Sequence, residues 1–318
     1  MSDKMRNVYI HSMTYEARDV LRLELRSCNG YDLAAFSPGG HVNLRLGHNL
    51  SRSYSLINDA KERHRYLICV RKERDGRGGS RWLHETARVG TPLECSLPRN
   101  NFPLNQDADY TVFIAGGIGI TPIWSMIQKL EQLGKSWQLH YRARTRDRAA
   151  LLSELRSEER TGEVVVSFGA ENPRDDFGLE GIVAAAPGSA EFYCCGPAEM
   201  LEVFQKATAH IEPSRIHTER FGAGTEPAVD QGFVVRAARA GVELKVAGGQ
   251  TILGVLRDAG IDAPYSCEAG LCGECKTRVI SGVPEHRDMF LTEEEKELGE
   301  CIMICCSGSR SPILEIDL

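Results

Sequence analysis

Along the chain, alternating hydrophobic and polar positions come first and continuous apolar runs come later. Leu21, Leu23 and Leu25 alternate with polar residues over 20–26, and Val42, Leu44 and Leu46 do the same over 42–46. A period of two places one face of each segment in a core, so both are predicted strands. Residues 66–70 add a further apolar run, with glycines and prolines between the segments. Short strands with turn signals between them predict a small antiparallel barrel. From residue 110 the pattern changes. Tyr110 to Ala115 is a continuous run with β-branched residues, the mark of a buried parallel strand. Ile123, Met126, Ile127, Leu130 and Leu133 then recur at helical spacing up to Gly134. Strands are expected again at 137–141 and 191–195, the latter followed by a helix carrying Met200, Leu201 and Phe204. Near the end, 233–246 reads as two strands about a turn at Gly241. Residues 251–260 form a short helix with a glycine stop, and 276–280 and 313–318 are strands.

The chain has 318 residues, 42% hydrophobic and 26% charged, which fits two or three globular domains. Its longest apolar stretch, 112–124, is interrupted by three glycines and is too short to span a bilayer. The first residues lack the apolar core of a signal peptide, so a cytoplasmic location and no membrane partner are expected. The net charge is −6 and the basic residues are scattered, which disfavours nucleic acid as a partner.

Eleven cysteines without a secretory signal do not suggest a disulfide framework. Cys28, Cys69 and Cys95 are expected to be small buried hydrophobes. Six others fall between Cys267 and Cys306. Cys267, Cys272 and Cys275 have the spacing C-x₄-C-x₂-C, with a more distant group at Cys301, Cys305 and Cys306. This is the plant-type [2Fe–2S] pattern. Gly270 and Gly273 give the tight turns such a loop needs. Zinc is the rival occupant, because paired cysteine arms also bind it. Spacing alone does not choose between Cys305 and Cys306.

Gly116, Gly117, Gly119, Thr121 and Pro122 join the buried strand at 110–115 to its helix. Such a loop lets the backbone approach a pyrophosphate at a helix N-terminus, and Pro122 suits the first helical turn. Proline stands where G-x-G-x-x-G would have its third glycine, so the motif alone is equivocal. Cys195, Gly196 and Pro197 close a second buried strand in the same way, and ligands of open α/β sheets sit at such strand ends. Arginines at 142, 144, 146 and 148 follow the next strand. They could pair with a 2′-phosphate or simply be solvated. In the front segment, Gly78, Gly79 and Ser80 precede an apolar helix start and suit a phosphate site.

The cysteine segment resembles a plant-type ferredoxin domain of the β-grasp type, and that resemblance implies Cys305 as fourth ligand, after the apolar triplet Ile302 to Ile304. The pairing of GGIGITP with CGP is similar to the NAD(P)-binding domain of the ferredoxin–NADP reductase superfamily. It implies Cys195 beside the nicotinamide, with Thr121 as a second catalytic candidate and Arg144 as a nucleotide contact. Arg52, Ser53, Tyr54 and Ser55 resemble the R-x-Y-S flavin motif of the same superfamily. The complete order resembles the phthalate dioxygenase reductase family. That resemblance implies FMN rather than FAD, NADH rather than NADPH, and Phe221 as an aromatic brought toward the flavin. The expected domains are an FMN-binding β-barrel at 1–105, an NAD(H)-binding α/β domain at 106–225 and a [2Fe–2S] domain at 226–318. Residues 222–227 are expected to be a flexible linker.

The implied activity is an oxidoreductase passing electrons from NADH through FMN and [2Fe–2S] to a terminal Rieske-type oxygenase, itself a separate polypeptide. The chain lacks a Rieske pattern of paired Cys and His, so it is not expected to oxygenate anything alone. A ferredoxin or cytochrome is the alternative acceptor. A non-catalytic iron–sulfur sensor and a zinc-stabilised flavoprotein are the readings from other classes. A monomer is expected, because every site can be built within one chain.

Overall fold

The computed structural model describes residues 5–47, 50–74, 78–155, 162–170, 177–221, 232–265, 268, 270, 273–288 and 290–318. It divides into two compact units, Met1–Phe221 and Gly222–Leu318.

The first unit begins with six strands: β1 (Arg6–Ala17), β2 (Val20–Ser27), β3 (His41–Arg45), β4 (Ser51–Ser55), β5 (Tyr66–Arg71) and β6 (Pro92–Cys95). The helix α1 (Gly79–Glu85) lies between the last two. Their order is β4-β3-β6-β1-β2-β5 and every pairing is antiparallel. The chain ends of the sheet come back together where Ile57 N–H donates to Leu67 C=O at 2.9 Å. Val8, Ile10, Leu23, Leu25, Val42 and Leu44 fill the interior.

Leu21, Leu23 and Leu25 face the barrel interior as the alternation predicts, with Leu21 only half-buried at its edge. Val20 lies on the opposite face and is buried as well, because a second layer of the same unit covers that face. Cys69 and Cys95 are buried as expected, but Cys28 is exposed just beyond the end of β2.

A five-stranded parallel sheet follows in the same unit. It contains β7 (Tyr110–Gly116), β8 (Ser136–Ala143), β9 (Glu163–Phe168), β10 (Glu191–Gly196) and β11 (Ile216–Arg220). The helices are α2 (Ile120–Leu133), α3 (Leu152–Leu155), α4 (Leu179–Ala185) and α5 (Ala198–Ala207). The order is β11-β10-β7-β8-β9, so successive connections leave β7 in opposite directions. A crevice therefore opens at the carboxyl ends of β7 and β10, the switch point of the sheet. The helix α2 starts at Ile120, earlier than periodicity suggests, because a single tight turn at Gly117–Gly119 leads straight into it. Pro122 still falls within the first turn, where an N–H is not needed. One buried cluster joins Ala17, Val20, Ile57 and Cys69 of the barrel to Ile123, Met126 and Tyr141 of the sheet layer. That shared core makes barrel and sheet a single unit.

The second unit contains β12 (Phe233–Ala237), β13 (Val242–Val246), β14 (Lys276–Ser281), β15 (Pro284–Glu285), β16 (Cys301–Met303), β17 (Gly308–Ser309) and β18 (Ile313–Ile316). Two helices, α6 (Ile252–Asp258) and α7 (Glu293–Leu298), complete it. The main sheet has the order β13-β12-β18-β14-β16, with β12 and β18 parallel. Ile252, Leu253 and Leu256 of α6 pack onto Val235, Leu314 and Ile316. Both helices carry threonine N-caps: Thr251 accepts from Gly254 N–H, and Thr292 forms a reciprocal capping box with Glu295.

Candidate functional site

The two nucleotide loops meet. Strands β7 and β10 pair in register, Ala115 opposite Cys195, so both chains reach the crevice at the same level. A Cβ placed on Gly119 would lie 2.2 Å from the Cys195 carbonyl oxygen. One on Gly116 would lie 2.6 Å from Pro197 Cδ, and one on Gly196 only 3.2 Å from Gly116 Cα. Glycine is needed at these positions because the two loops approach each other closely. Gly117 has φ +55 and its nearest non-neighbouring atom is Nη1 of the barrel's Arg71, 3.5 Å from a built Cβ.

Thr121 is buried, and its hydroxyl donates to Ile118 C=O at 2.8 Å. That bond holds the turn. Cys195 is fully buried, and its thiol faces Glu219 Oε2 at 3.9 Å. Burial pushes the Glu219 carboxyl up to about 8, against a smaller opposing pull from the thiol. Burial likewise raises the Cys195 thiol, with Glu219 adding to the effect. Both shifts favour the neutral forms on this wall of the crevice. Glu219 stands two residues before Phe221 and was not singled out by sequence; neither spacing nor composition signals it. Phe221 is 36% exposed at the end of the first unit.

The arginines after β8 separate into different roles. Arg148 pairs with Asp19 of the barrel at 3.1 Å, and Arg146 lies over the Phe168 ring at 5.0 Å. Arg144 is exposed, with its carbonyl accepting from Ala170 N–H at 2.9 Å.

In the barrel, the two expected flavin elements converge. A Cβ on Gly79 would lie 2.7 Å from Arg52 Cγ, so the start of α1 rests on the arginine of β4. Gly78 caps that helix at φ +87, and Ser80 Oγ accepts from Glu73 N–H at 3.0 Å. Ser53 donates to Asn43 Oδ1 at 2.6 Å across the β3–β4 pair. Burial raises the Tyr54 phenol, which packs at the edge of the barrel core, while Ser55 is buried opposite His41. His41 is itself buried with Nε2 unpartnered, and desolvation lowers it to about 4. A helix start lying on an arginine fits a phosphate-bearing cofactor.

In the second unit, Cys267 and Cys272 lie outside the described residues. Cys275 and Cys305 are both buried. The Cys305 sulfur receives hydrogen bonds from the Cys275 and Cys306 side chains and from Gly270 N–H, which together hold its thiol below the ordinary value. Cys306 is raised by the same neighbour and turns toward Met303 C=O and Ser307 Oγ, each at 3.8 Å. Leu253 N–H of α6 donates to Ile304 C=O at 2.9 Å, fixing the segment before Cys305. Gly270 and Gly273 have φ +71 and +78, and both are tightly backed: a Cβ on Gly273 would lie 2.3 Å from the Phe290 ring. A pair of buried thiols with backbone N–H groups turned onto sulfur fits an iron–sulfur cluster.

A crevice for a two-electron donor in one unit and a cysteine site for a one-electron centre in the other define an electron-transfer oxidoreductase. Residues 113–206 match the oxidoreductase NAD-binding domain family, and residues 235–308 match the 2Fe-2S iron-sulfur cluster binding domain family. The chain is 50% identical to phenoxybenzoate dioxygenase subunit beta of Ectopseudomonas oleovorans, covering 97% of this chain and 96% of that one. It is 44% identical to tetrachlorobenzoquinone reductase of Sphingobium chlorophenolicum, with 97% of each chain covered. The solved structure of phthalate dioxygenase reductase, described as modular for electron transfer from pyridine nucleotides to [2Fe–2S], superposes with a TM-score of 0.77. It is 37% identical and covers 99% of this chain and 98% of its own. The chain belongs to the phthalate dioxygenase reductase family. Among the described residues, no helix is long and apolar enough to cross a membrane.

Proposed function

We propose that the chain takes hydride from NADH onto FMN and delivers electrons singly, through a [2Fe–2S] cluster, to a terminal Rieske-type oxygenase. The observation that carries this reading is the meeting of the Gly116–Gly119 and Cys195–Pro197 loops at the switch point of the sheet, in the same compact unit as the Arg52–Ser55 strand. Reductase subunits of dioxygenase systems among the relatives support the choice of acceptor.

Gly116, Gly117, Gly119 and Thr121 offer backbone N–H groups to the pyrophosphate at the start of α2, and Pro122, which has no N–H, fixes that first turn. Gly196 and Pro197 close the other side of the crevice, and Arg144 reaches the outer nucleotide. Arg52 with Gly78, Gly79 and Ser80 holds the FMN phosphate; Tyr54 and Phe221 flank the ring, and Ser53 and Ser55 offer hydroxyls at its edge. When bound, FMN supplies the conversion between paired and single electrons. Cys195 and Glu219 exclude water and present an uncharged wall, so the oxidised, cationic nicotinamide is not trapped there. Cys267, Cys272, Cys275 and Cys305 ligate the cluster. The reading includes a cytoplasmic monomer, since each site draws on one chain.

An anaerobic NADH titration followed by absorbance and low-temperature EPR tests it. Uptake of about three electrons per chain, two by flavin and one by the cluster, with a reduced-cluster signal, is expected. Bleaching of flavin alone would refute it. A second reading, direct reduction of a quinone-class acceptor, is supported by the 44% identity to tetrachlorobenzoquinone reductase. Exchanging purified oxygenase for quinone as acceptor under identical NADH turnover separates the two.

A further inference from the structure

Two neighbouring side chains back both glycines of the cysteine loop. Phe290 covers Gly273, and Asp288 covers Gly270, with its Cα and Cβ each 2.9 Å from where a Gly270 Cβ would lie. The Asp288 side chain has 0% exposure. Its Oδ2 accepts from Phe290 N–H at 3.2 Å and Leu291 N–H at 2.8 Å. Its Oδ1 accepts from Ser307 Oγ at 3.3 Å and lies 3.6 Å from His286 Nδ1. Both His286 ring nitrogens are buried without a hydrogen-bond partner. Such a carboxylate is held by its acceptor bonds in one place. Gly270, against which it rests, lies on the cysteine pair: a Cβ there would meet Cys306 Sγ at 2.6 Å, and its N–H is directed at the adjoining Cys305 sulfur.

Hydrogen bonds to sulfur and nearby charge are two of the factors that set an iron–sulfur potential. Reduction adds negative charge, which a buried carboxylate opposes in a medium less polar than water. We propose that Asp288 is the positioning residue of the iron–sulfur loop, holding Gly270 N–H on the Cys305 sulfur, and that its buried charge keeps the cluster hard to reduce. The inference rests on the ligand set Cys267, Cys272, Cys275 and Cys305.

The substitution Asp288→Asn tests the charge with shape preserved. Its carbonyl can still accept from the two backbone N–H groups, and its amide can donate to Ser307 Oγ. Asp288→Ala removes the support as well. Holoprotein of each is compared with wild type by EPR-monitored redox titration, iron content and the rate of iron release to a chelator. Asp288→Asn is expected to retain its iron and to shift the reduction equilibrium toward the reduced form on the order of tenfold, about 59 mV for a one-electron couple. Asp288→Ala is expected to release iron several-fold faster. An unchanged potential in Asp288→Asn, or iron loss from it as fast as from Asp288→Ala, would overturn the proposal. Wild-type protein without a [2Fe–2S] signal would instead overturn the ligand set.

Discussion

Substituting Gly119 by alanine adds one methyl group where the two nucleotide loops meet. The backbone there has φ −61 and ψ −8, an ordinary helical conformation, so alanine causes no torsional strain. The cost is steric. The new Cβ would sit 2.2 Å from the Cys195 carbonyl oxygen, 2.6 Å from its carbon and 3.1 Å from its sulfur. Two of those atoms are backbone, so no rotamer change relieves the contact and the β7 and β10 loops must separate. Overpacking of this kind costs about 1–3 kcal/mol. If the loops separate only when NADH is absent, the whole cost appears in binding and KM for NADH rises about 5- to 150-fold. Gly117→Ala is the control. It forces a side chain into φ +55, costing roughly 1–2 kcal/mol, but its Cβ meets nothing closer than Arg71 Nη1 at 3.5 Å. The assay is stopped-flow bleaching of the flavin against NADH concentration, with flavin and iron content measured on each variant. Gly119→Ala is expected to weaken NADH binding more than Gly117→Ala while both retain their cofactors. A Gly119→Ala protein with wild-type NADH dependence would refute the idea that the close meeting of these loops forms the site.

Three further outcomes follow from the same geometry. Cys272→Ser is expected to abolish the cluster EPR signal and electron delivery to a protein acceptor, with NADH-dependent flavin bleaching retained. Loss of both would mean that the two units are not independent. Glu219 has its carboxyl raised by burial from an ordinary 4.5 to about 8, so its contribution to stability is complete below 4.5 and is lost as pH rises through about 8. Thermal melting and NAD⁺ product inhibition should both show an inflection near pH 8, with NAD⁺ held more tightly above it, and Glu219→Gln should remove both; persistence of the inflection in that variant would count against the assignment. Cys305→Ser is expected to lose the cluster signal while Cys306→Ser keeps it, since Cys306 turns to Met303 and Ser307. Iron analysis and EPR of the two variants, purified in parallel, check this, and the reverse result would exchange their roles.

What could be read from sequence, and what could not, divides along the range of the forces involved. Strand and helix positions depend on neighbours a few residues away, and the runs at Tyr110–Gly116, Ile120–Leu133 and Glu191–Gly196 show them directly. The exceptions are Val20, buried by a layer formed far along the chain, and the tight turn that starts α2 early. The glycines of the candidate sites were legible as residues, but their partners were not. Gly119 meets Cys195, Gly79 meets Arg52 and Gly270 meets Asp288, each across a long stretch of chain. Only the folded topology decides such meetings. Glu219 and Asp288 illustrate the limit most clearly. An acidic residue in a sequence defaults to a solvated surface. What makes Glu219 neutral is burial beside Cys195, and what holds Asp288 in place is a turn and a serine nineteen residues on. In both cases the chemistry lies in the environment, so a motif can locate a site without naming the groups that tune it.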